Sequence, residues 1–371
     1  MQDKEKYIGK SSIKSTYFIF LRKNSILDMK KRHFWISVLA CCLLIFSLFA
    51  AWMYRVCGTA MCKGEESVYV YLDEDDDIDS VYAKVEKTGK VEDIDNFKQV
   101  AGWTKYAESV KTGRYDLGRG LSNWEVVRNL RNGIQIPVML TIPQVWTLES
   151  LAAKLSRKLM TDSASLAKTF ADSTLHEKYG VKAETMICLF MPNTYEVYWT
   201  ITPEKLVERM HREYQQYWSE ERVAKAKEKG LTPHEVITIA SIVDKETMKQ
   251  EENPIVAGLY LNRLKKGMKL QACPTVKFAL KEFGLRRILN RHLQVESPYN
   301  TYKYAGLPPG PICLPSMNSI EAVLNATDHD YLYMCAKEDF SGTHNFASTG
   351  AEHEANARKY QRALNERGIK K

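Results

Sequence analysis

The longest apolar run of the chain covers residues 34–54 and holds no charged residue in its 21 positions. A helix needs about 20 consecutive apolar residues to cross the hydrocarbon core of a bilayer. Aromatic residues stand at both ends of the run, where spanning helices meet the lipid headgroups. The pattern predicts one transmembrane helix near the N-terminus.

Charge on either side of this run predicts its orientation. Residues 1–33 carry nine Lys and Arg against three acidic residues, a net charge of +6. Basic flanks favour the cytoplasmic side, so we expect a cytoplasmic N-terminus, a single pass through the inner (plasma) membrane and an extracytoplasmic remainder. Subtracting that +6 from the whole-chain +8 leaves +2 for residues 55–371. So small an excess predicts no binding to nucleic acid.

Other interpretations of this segment stay open. A cleaved signal peptide is one, although its apolar core normally spans about 7–15 residues. A lipoprotein signal ending at Cys41 is less favoured, because the apolar run continues past it. Met29 could be the true start, just ahead of the basic residues that precede the run.

Beyond a short polar segment, runs with strand character alternate with runs of helical period. Strands are predicted at residues 68–72, 113–117 and 138–142, and helices at 122–130 and 147–155. Residues 151–252 are mainly helical in pattern, whereas residues 267–315 are rich in Pro and Gly and predict long ordered loops. Together these patterns predict an α+β fold, with a small α/β module ahead of a mainly helical part.

Residues 237–246 are typical of an amphipathic helix that ends on a carboxylate. Thr232 and Pro233 give a start signal, strengthened by Glu235 three residues after the cap. At helical spacing Glu246 adjoins Val243, Ile242 and Ile239. Apolar surroundings raise the pKa of a carboxyl group, which suits a general acid. Asp244 is the rival candidate, and its helical neighbours are less apolar.

Neither a metal nor a cofactor is predicted. The acidic cluster at 73–79 lacks the glycine and the closing glutamate of a calcium loop. His344 and His353 have no third ligand nearby in sequence, and no phosphate-binding glycine loop occurs. The eight cysteines form no C-x-x-C pair. Cys57 and Cys62 are the easiest pair to join, but burial as free thiols is favoured.

Six ordered motifs resemble the endolytic murein transglycosylases of the YceG/MltG-like type. They read IASIVDKET (239–247), NRLKKGMKLQ (262–271), PTV (274–276), SPYNTY (297–302), GLPPGPI (306–312) and GTHNF (342–346). The resemblance extends from about residue 68 to the C-terminus. Charge and hydropathy predict a basic cytoplasmic tail (1–33), a transmembrane helix (34–54) and a linker (55–66), and the resemblance implies a LysM-like glycan-contacting subdomain (67–150) followed by a catalytic domain (151–371).

The resemblance also implies a chemistry and a site. The expected activity is lytic cleavage of the β-1,4 bond between N-acetylmuramic acid and N-acetylglucosamine, giving 1,6-anhydro ends, with Glu246 as catalytic acid and base. The partners it implies are peptidoglycan glycan strands and a membrane peptidoglycan synthase. Candidate substrate contacts, whose amides, hydroxyls and rings suit sugars, are Gln271, Tyr299, Asn300, Thr301, Tyr302 and His344.

Three departures from the family pattern and two rival functions remain. Asp244 stands where glutamate is common, Gln144 replaces glutamate in the usual I-P-E-G, and Cys273 replaces a common aspartate. A hydrolytic muramidase is the enzymatic alternative and requires a second carboxylate, for which Asp244, Glu196 and Glu296 are candidates. The non-enzymatic alternative is a membrane-anchored peptidoglycan-binding scaffold.

Overall fold

The computed structural model describes residues 5–285 and 287–368, with side chains from residue 29 onward. Its first element, helix α1 (Glu5–Met53), carries the predicted membrane segment and continues into one turn of π-helix at Tyr54–Gly58. Within the described residues, Met29–Gly58 is the one helical stretch long and apolar enough to cross a bilayer. Most of its large apolar side chains up to Tyr54 are exposed.

The chain divides into two units, one ending at Ile136 and the other beginning at Pro137. After α1, the first unit contains β1 (Tyr69–Leu72), α2 (Ile78–Lys87), α3 (Ile94–Trp103), β2 (Gly113–Asp116) and α4 (Asn123–Asn132). Strands β1 and β2 are antiparallel, with Tyr69 opposite Asp116. The helices bury Val81, Phe97 and Leu130 in one core.

Local chemistry explains where these helices begin. Asp77 caps α2 by accepting a hydrogen bond from the Ser80 amide, and Ser122 and Glu125 form a reciprocal capping box on α4. The strands predicted at 68–72 and 113–117 and the helix predicted at 122–130 are confirmed to within two residues at each end. Helix α3 was not predicted.

Part of the segment expected to be a linker, 55–66, is packed into the core of the first unit. Val56, Met61 and Cys62 are almost completely buried. The Met61 amide donates to the Leu121 carbonyl at 2.8 Å. The segment is therefore structural in this part, because its apolar side chains join the core.

The second unit opens on an antiparallel strand pair, β3 (Val138–Thr141) and β4 (Thr194–Val197). Strand β3 thus pairs within the second unit, although it falls inside the predicted range 67–150. The helices that build the first core of this unit are α5 (Leu148–Leu155), α6 (Ser163–Phe170), α7 (Ser173–Tyr179) and α8 (Pro203–Tyr217). Leu140, Leu151 and Phe190 lie at its centre.

The second core of this unit forms around the helix at residues 233–246, in which residues 236–243 are all buried. Its helices are α9 (Glu220–Glu228), α10 (Pro233–Glu246), α11 (Asn253–Lys265), α12 (Cys273–Leu280) and α13 (Met317–Leu324). The antiparallel hairpin β5 (Tyr333–Ala336) and β6 (His344–Ala347) follows, and then α14 (Gly350–Glu366). A mixed helix and sheet fold is confirmed. The LysM-like assignment, the long loops and the domain limits stay predictions.

Candidate active site

Helix α10 places Glu246 as its last residue. Thr232 accepts from the Glu235 amide and Glu235 bonds back to the cap, with Pro233 in the first turn, so the predicted start is confirmed. Ile239, Ile242 and Val243 are fully buried. The helix ends because Thr247 adopts an extended backbone (φ −125°, ψ 144°). The carboxylate thus leaves the helix at the edge of an apolar core.

The carboxyl group of Glu246 is held in a poorly solvated position. Its Oε2 atom is buried and has no hydrogen-bond partner within the described part of the chain. Burial raises the pKa of Glu246 from 4.5 to about 6, against the opposing effects of His344, the Tyr260 hydroxyl, Arg263 and Lys277. A substantial protonated fraction near neutral pH follows, as a general acid requires.

Two weakly acidic groups, Cys273 and Tyr302, interact electrostatically with this carboxylate. The Cys273 Sγ atom lies 3.2 Å from the Tyr302 hydroxyl. Burial raises the pKa of both groups, and the charge of Glu246 adds to the effect in each. Tyr260 behaves in the same way, because it is buried and adjoins Glu246. These groups remain protonated at neutral pH and can donate hydrogen bonds beside the carboxylate.

A second buried carboxylate, Glu252, joins the turn after α10 to strand β6. Its Oε2 atom lies 2.8 Å from His344 Nδ1 and accepts from the Thr247 hydroxyl at 3.1 Å, while its Oε1 accepts from the His344 amide at 2.7 Å. Glu252 therefore fixes both the residue next to Glu246 and the His344 ring. Because Glu252 lies against one ring nitrogen, Nε2 of His344 is the nitrogen left for other contacts.

Asn262 and Arg263 hold the segments around the site by binding backbone carbonyls. The Asn262 amide donates to the Tyr331 carbonyl at 3.2 Å, and Arg263 Nε donates to the Leu332 carbonyl at 2.7 Å. Arg263 also donates to the Leu270 carbonyl. Asn262 and Arg263 thus secure the backbone of the loops around the site.

Asn300 and Thr301 are buried and engaged within the chain. Asn300 donates to the Leu293 and Val295 carbonyls at 2.9 and 2.8 Å. The Thr301 hydroxyl accepts from the Ala272 amide at 3.0 Å and lies 2.8 Å from the Thr275 hydroxyl. In this structure the two side chains shape the loop that carries Tyr302.

Gln271 and Tyr299 have different surroundings. Gln271 is exposed and its backbone is left-handed (φ 48°). Its backbone amide donates to the Thr301 carbonyl at 3.1 Å. The Tyr299 ring packs 4.6 Å from the Phe278 ring, and burial raises its pKa to about 12. Gln271 is thus presented to solvent, whereas much of Tyr299 belongs to the core.

Of the rival carboxylates, Asp244 and Glu296 have other partners and Glu196 is exposed to solvent. Asp244 accepts from the Ser316 amide (2.9 Å), the Ser319 hydroxyl (2.9 Å) and Gln144 (3.1 Å). Burial opposes ionisation of Asp244, but the Ser316 amide and Lys245 outweigh it and lower its pKa. Glu196 is exposed on β4, and Glu296 pairs with Lys303 at the surface.

A polar cavity of about 440 Å³ opens beside the end of α10. Its lining includes Gln144, Lys245, Thr247 and Gln250, with the almost fully exposed Met248 at its edge. Amide, hydroxyl and ammonium groups of this kind suit sugar hydroxyls and acetamido groups. For metals, no group of three or more His, Cys, Asp or Glu side chains in the described ranges could hold an ion.

The model of the YceG-like family matches residues 70–359. The chain belongs to the YceG-like family. This match includes the end of α10, Glu252, the Cys273–Tyr302 pair and His344, so every group described around Glu246 lies on family sequence.

Similar YceG-like proteins are known by name and by structure. The chain is 29% identical to the endolytic murein transglycosylase of Streptococcus pneumoniae, over 79% of this chain and 58% of that protein. It is 31% identical to that of Bacillus subtilis, over 71% and 76%. The chain therefore spans little more than half the length of the pneumococcal relative. A crystal structure of a YceG-like protein from Listeria monocytogenes matches with a TM-score of 0.52 and 27% identity, over 79% of this chain and 99% of that one.

Sequence reasoning missed Tyr260 and Glu252. Tyr260 lies among the buried residues of α11. The apolar period of that helix therefore gives no sign of a neighbouring carboxylate. Glu252 stands one residue before the Asn253-Pro254 helix start, in a run that resembles solvated charge. A glutamate buried beside a helix start needs a partner, but the partner, His344, lies 92 positions along the chain.

Proposed function

We propose that this chain is a membrane-anchored endolytic lytic transglycosylase of peptidoglycan. It would cleave the β-1,4 bond between N-acetylmuramic acid and N-acetylglucosamine and leave a 1,6-anhydro end. The observation that carries the proposal is the Glu246 carboxyl group, with a buried, unpartnered oxygen among the described residues and a pKa of about 6. The names of the pneumococcal and Bacillus relatives support the same substrate.

The reaction needs one carboxyl group in two states. Protonated Glu246 donates its proton to the glycosidic oxygen as the bond from that oxygen to muramoyl C1 breaks. The resulting carboxylate then accepts the proton of the muramoyl C6 hydroxyl, whose oxygen bonds to C1 and closes the anhydro ring. No water is consumed, and Glu246 returns to its protonated form.

A single carboxylate suffices because the nucleophile belongs to the substrate. Hydrolytic glycosidases commonly use two carboxyl groups about 5–10 Å apart. Here Asp244 is saturated with donors, and Glu252 is committed to Thr247 and His344. These contacts favour the lytic route over the muramidase alternative.

We assign the substrate contacts in two groups. Gln271, Tyr302 and His344 contact sugar directly, since Gln271 is exposed and the charge of Glu246 interacts with Tyr302 and His344. Asn300 and Thr301 support the loop from within, and Tyr299 forms the inner wall beside it. The polar cavity beside α10 receives a neighbouring sugar.

In this proposal the activity lies at the extracytoplasmic face of the plasma membrane. The exposed apolar helix and the basic residues ahead of it support a single pass with a cytoplasmic N-terminus. The first module contacts glycan as a LysM-like subdomain, the second unit cuts, and a neighbouring membrane synthase supplies nascent strands.

Mass spectrometry of strands cut by the full chain tests the proposal. Purified uncross-linked glycan strands are incubated with the wild type, with Glu246→Gln and with Glu251→Gln, whose exposed side chain lies on the short helical turn Gln250–Glu252 that follows α10. We expect anhydro-muramoyl ends from the wild type and Glu251→Gln, and none from Glu246→Gln. The rate should fall as pH rises through about 6, because the protonated form is lost.

Two results would contradict the proposal. Reducing muramic ends would show hydrolysis, with water in place of the C6 hydroxyl. Equal cleavage by wild type and Glu246→Gln would remove Glu246 from the chemistry, and no cleavage by either protein would favour the scaffold alternative.

A further inference from the structure

We propose that the first unit rests on the outer surface of the bilayer, with Trp103 inserted among the lipid headgroups. This inference goes beyond the catalytic proposal but rests on its membrane anchor. The surface concerned consists of Trp52 at the end of the apolar run, Tyr54 in the π-helical turn and Trp103 at the end of α3, all three exposed.

Contact between two tryptophans sets the depth of Trp103. The Trp52 and Trp103 rings meet edge to face, with centroids 5.6 Å apart. The headgroup region on each side of a bilayer is about 5–8 Å thick. Trp52 is third from the outer end of the uncharged run, where aromatic residues occupy the interface. A ring this close to Trp52 lies at the same level.

The apolar helix α1 is rigidly connected to the rest of the first unit. Val56, Met61 and Cys62 are buried in the core of the unit. The Asn123 side-chain amide donates to the Val56 carbonyl at 3.1 Å, and the Asn123 backbone amide donates to the Thr59 carbonyl at 3.2 Å. The spanning helix therefore enters the unit without a free linker, and the unit keeps one face toward the membrane.

Charge near this surface suits phospholipid. Arg55 directly follows the apolar run and Lys105 follows Trp103 by two residues, and both side chains are exposed. Cations at this depth meet lipid phosphates, and anionic headgroups attract them further. The partner is thus a bilayer that contains anionic phospholipid.

Trp124 is a matched control for Trp103. It lies on α4 of the same unit, and its exposure of 47% nearly equals the 48% of Trp103. No ring of the span contacts it among the described aromatic pairs, whereas Trp103 contacts Trp52. Any difference between the two side chains in a membrane therefore reports the surroundings of Trp103.

Hydroxyl-radical footprinting of the full chain in nanodiscs tests the inference. The nanodiscs contain phosphatidylethanolamine and phosphatidylglycerol, and mass spectrometry measures the oxidation rate of each tryptophan. We expect Trp103 to react several-fold more slowly than Trp124, and Trp35 of the span to be protected as well. Equal rates for Trp103 and Trp124 with a protected Trp35 would overturn the inference and leave the anchor standing. A reactive Trp35 would overturn both.

Fluorescence quenching by lipids brominated near the headgroup separates lipid from protein contact. Trp103→Phe should lower the quenched fraction of the emission, because it removes an emitter in the lipid. Trp124→Phe should raise that fraction, because it removes an emitter in water. If Trp103 is protected but both variants change the fraction in the same direction, its cover is protein, and the inference is wrong.

Discussion

At the scale of one residue, the position of Glu246 costs stability but suits proton transfer. Its side chain ends a helix in which residues 236–243 are all buried, and its Oε2 atom finds no donor in the part of the chain that the structure describes. Leaving a buried carboxyl oxygen unpaired costs stability, particularly when the group is ionised. The arrangement is useful to a group that must give up its proton to a substrate.

Glu246→Gln should stabilise the second unit at neutral pH while removing activity. The pKa of Glu246 is raised from 4.5 to about 6 by folding. Its favourable contribution to stability is therefore complete below the unfolded pKa and is lost as pH rises through about 6. Gln cannot ionise, so calorimetry should find the variant more stable near pH 7.5, by up to about 2 kcal/mol, and unchanged near pH 4. A loss of stability near pH 7.5 would contradict this account.

Glu252→Gln should slow cleavage without unfolding the protein. The carboxylate of Glu252 binds the Thr247 hydroxyl, the His344 backbone amide and His344 Nδ1. The Gln side chain has one acceptor oxygen and no charge, so it cannot make all of these hydrogen bonds equally well. Weakening charge-assisted bonds of this kind should reduce kcat on the order of tenfold, with a smaller change in KM. Initial rates and a near-UV spectrum measure the two effects, and Glu251→Gln is the control. Unchanged kcat would mean that Glu252 does not position the site.

Helix α11 is held by close backbone packing at the scale of the element. A Cβ atom on Gly258 would lie 2.5 Å from the Thr327 carbonyl oxygen and 2.8 Å from His329 Nε2. In the same loop, the Tyr331 carbonyl accepts a hydrogen bond from the Asn262 side-chain amide. The glycine therefore lets the helix approach the loop that leads to the β5–β6 hairpin and His344.

Gly258→Ala should destabilise the second unit, because the neighbouring carbonyl must move. We expect a loss of about 1–3 kcal/mol, typical of overpacking, measured by denaturant unfolding. Gly350→Ala is the matched control: it lies at the start of α14, and its Cβ would meet nothing within 4 Å. The control should be neutral or slightly stabilising. Equal effects of the two changes would refute close approach at Gly258.

Elements with a complete local signal could be predicted from sequence, and others could not. Helix α10 has its cap, proline and apolar period in one stretch of residues, so both of its ends were predicted. The short strands β4, β5 and β6 have weak patterns and are specified by their partners. Glu246 could be identified because it ends that same stretch, whereas its electrostatic interactions with Tyr260 and Cys273 and the Glu252–His344 pair depend on tertiary packing.

At the scale of the whole molecule, each unit has its own hydrophobic core. The core of the first unit draws its buried residues from positions 56–130. The two cores of the second unit draw theirs from positions 138–324. Every group described around Glu246 belongs to the second unit. Folding and catalysis by that unit should therefore be separable from the membrane segment and the first module.

A fragment of residues 137–371 should fold by itself and keep the proposed activity. Its β3–β4 pair and both cores are complete without the first unit, so calorimetry should show one cooperative transition. On soluble glycan strands it should form anhydro-muramoyl ends with a kcat near that of the full chain, and with a higher KM if the first module contributes to glycan binding. The same fragment with Glu246→Gln is the control and should melt but not cut. A folded wild-type fragment that fails to cut would mean that the first unit supplies part of the active site.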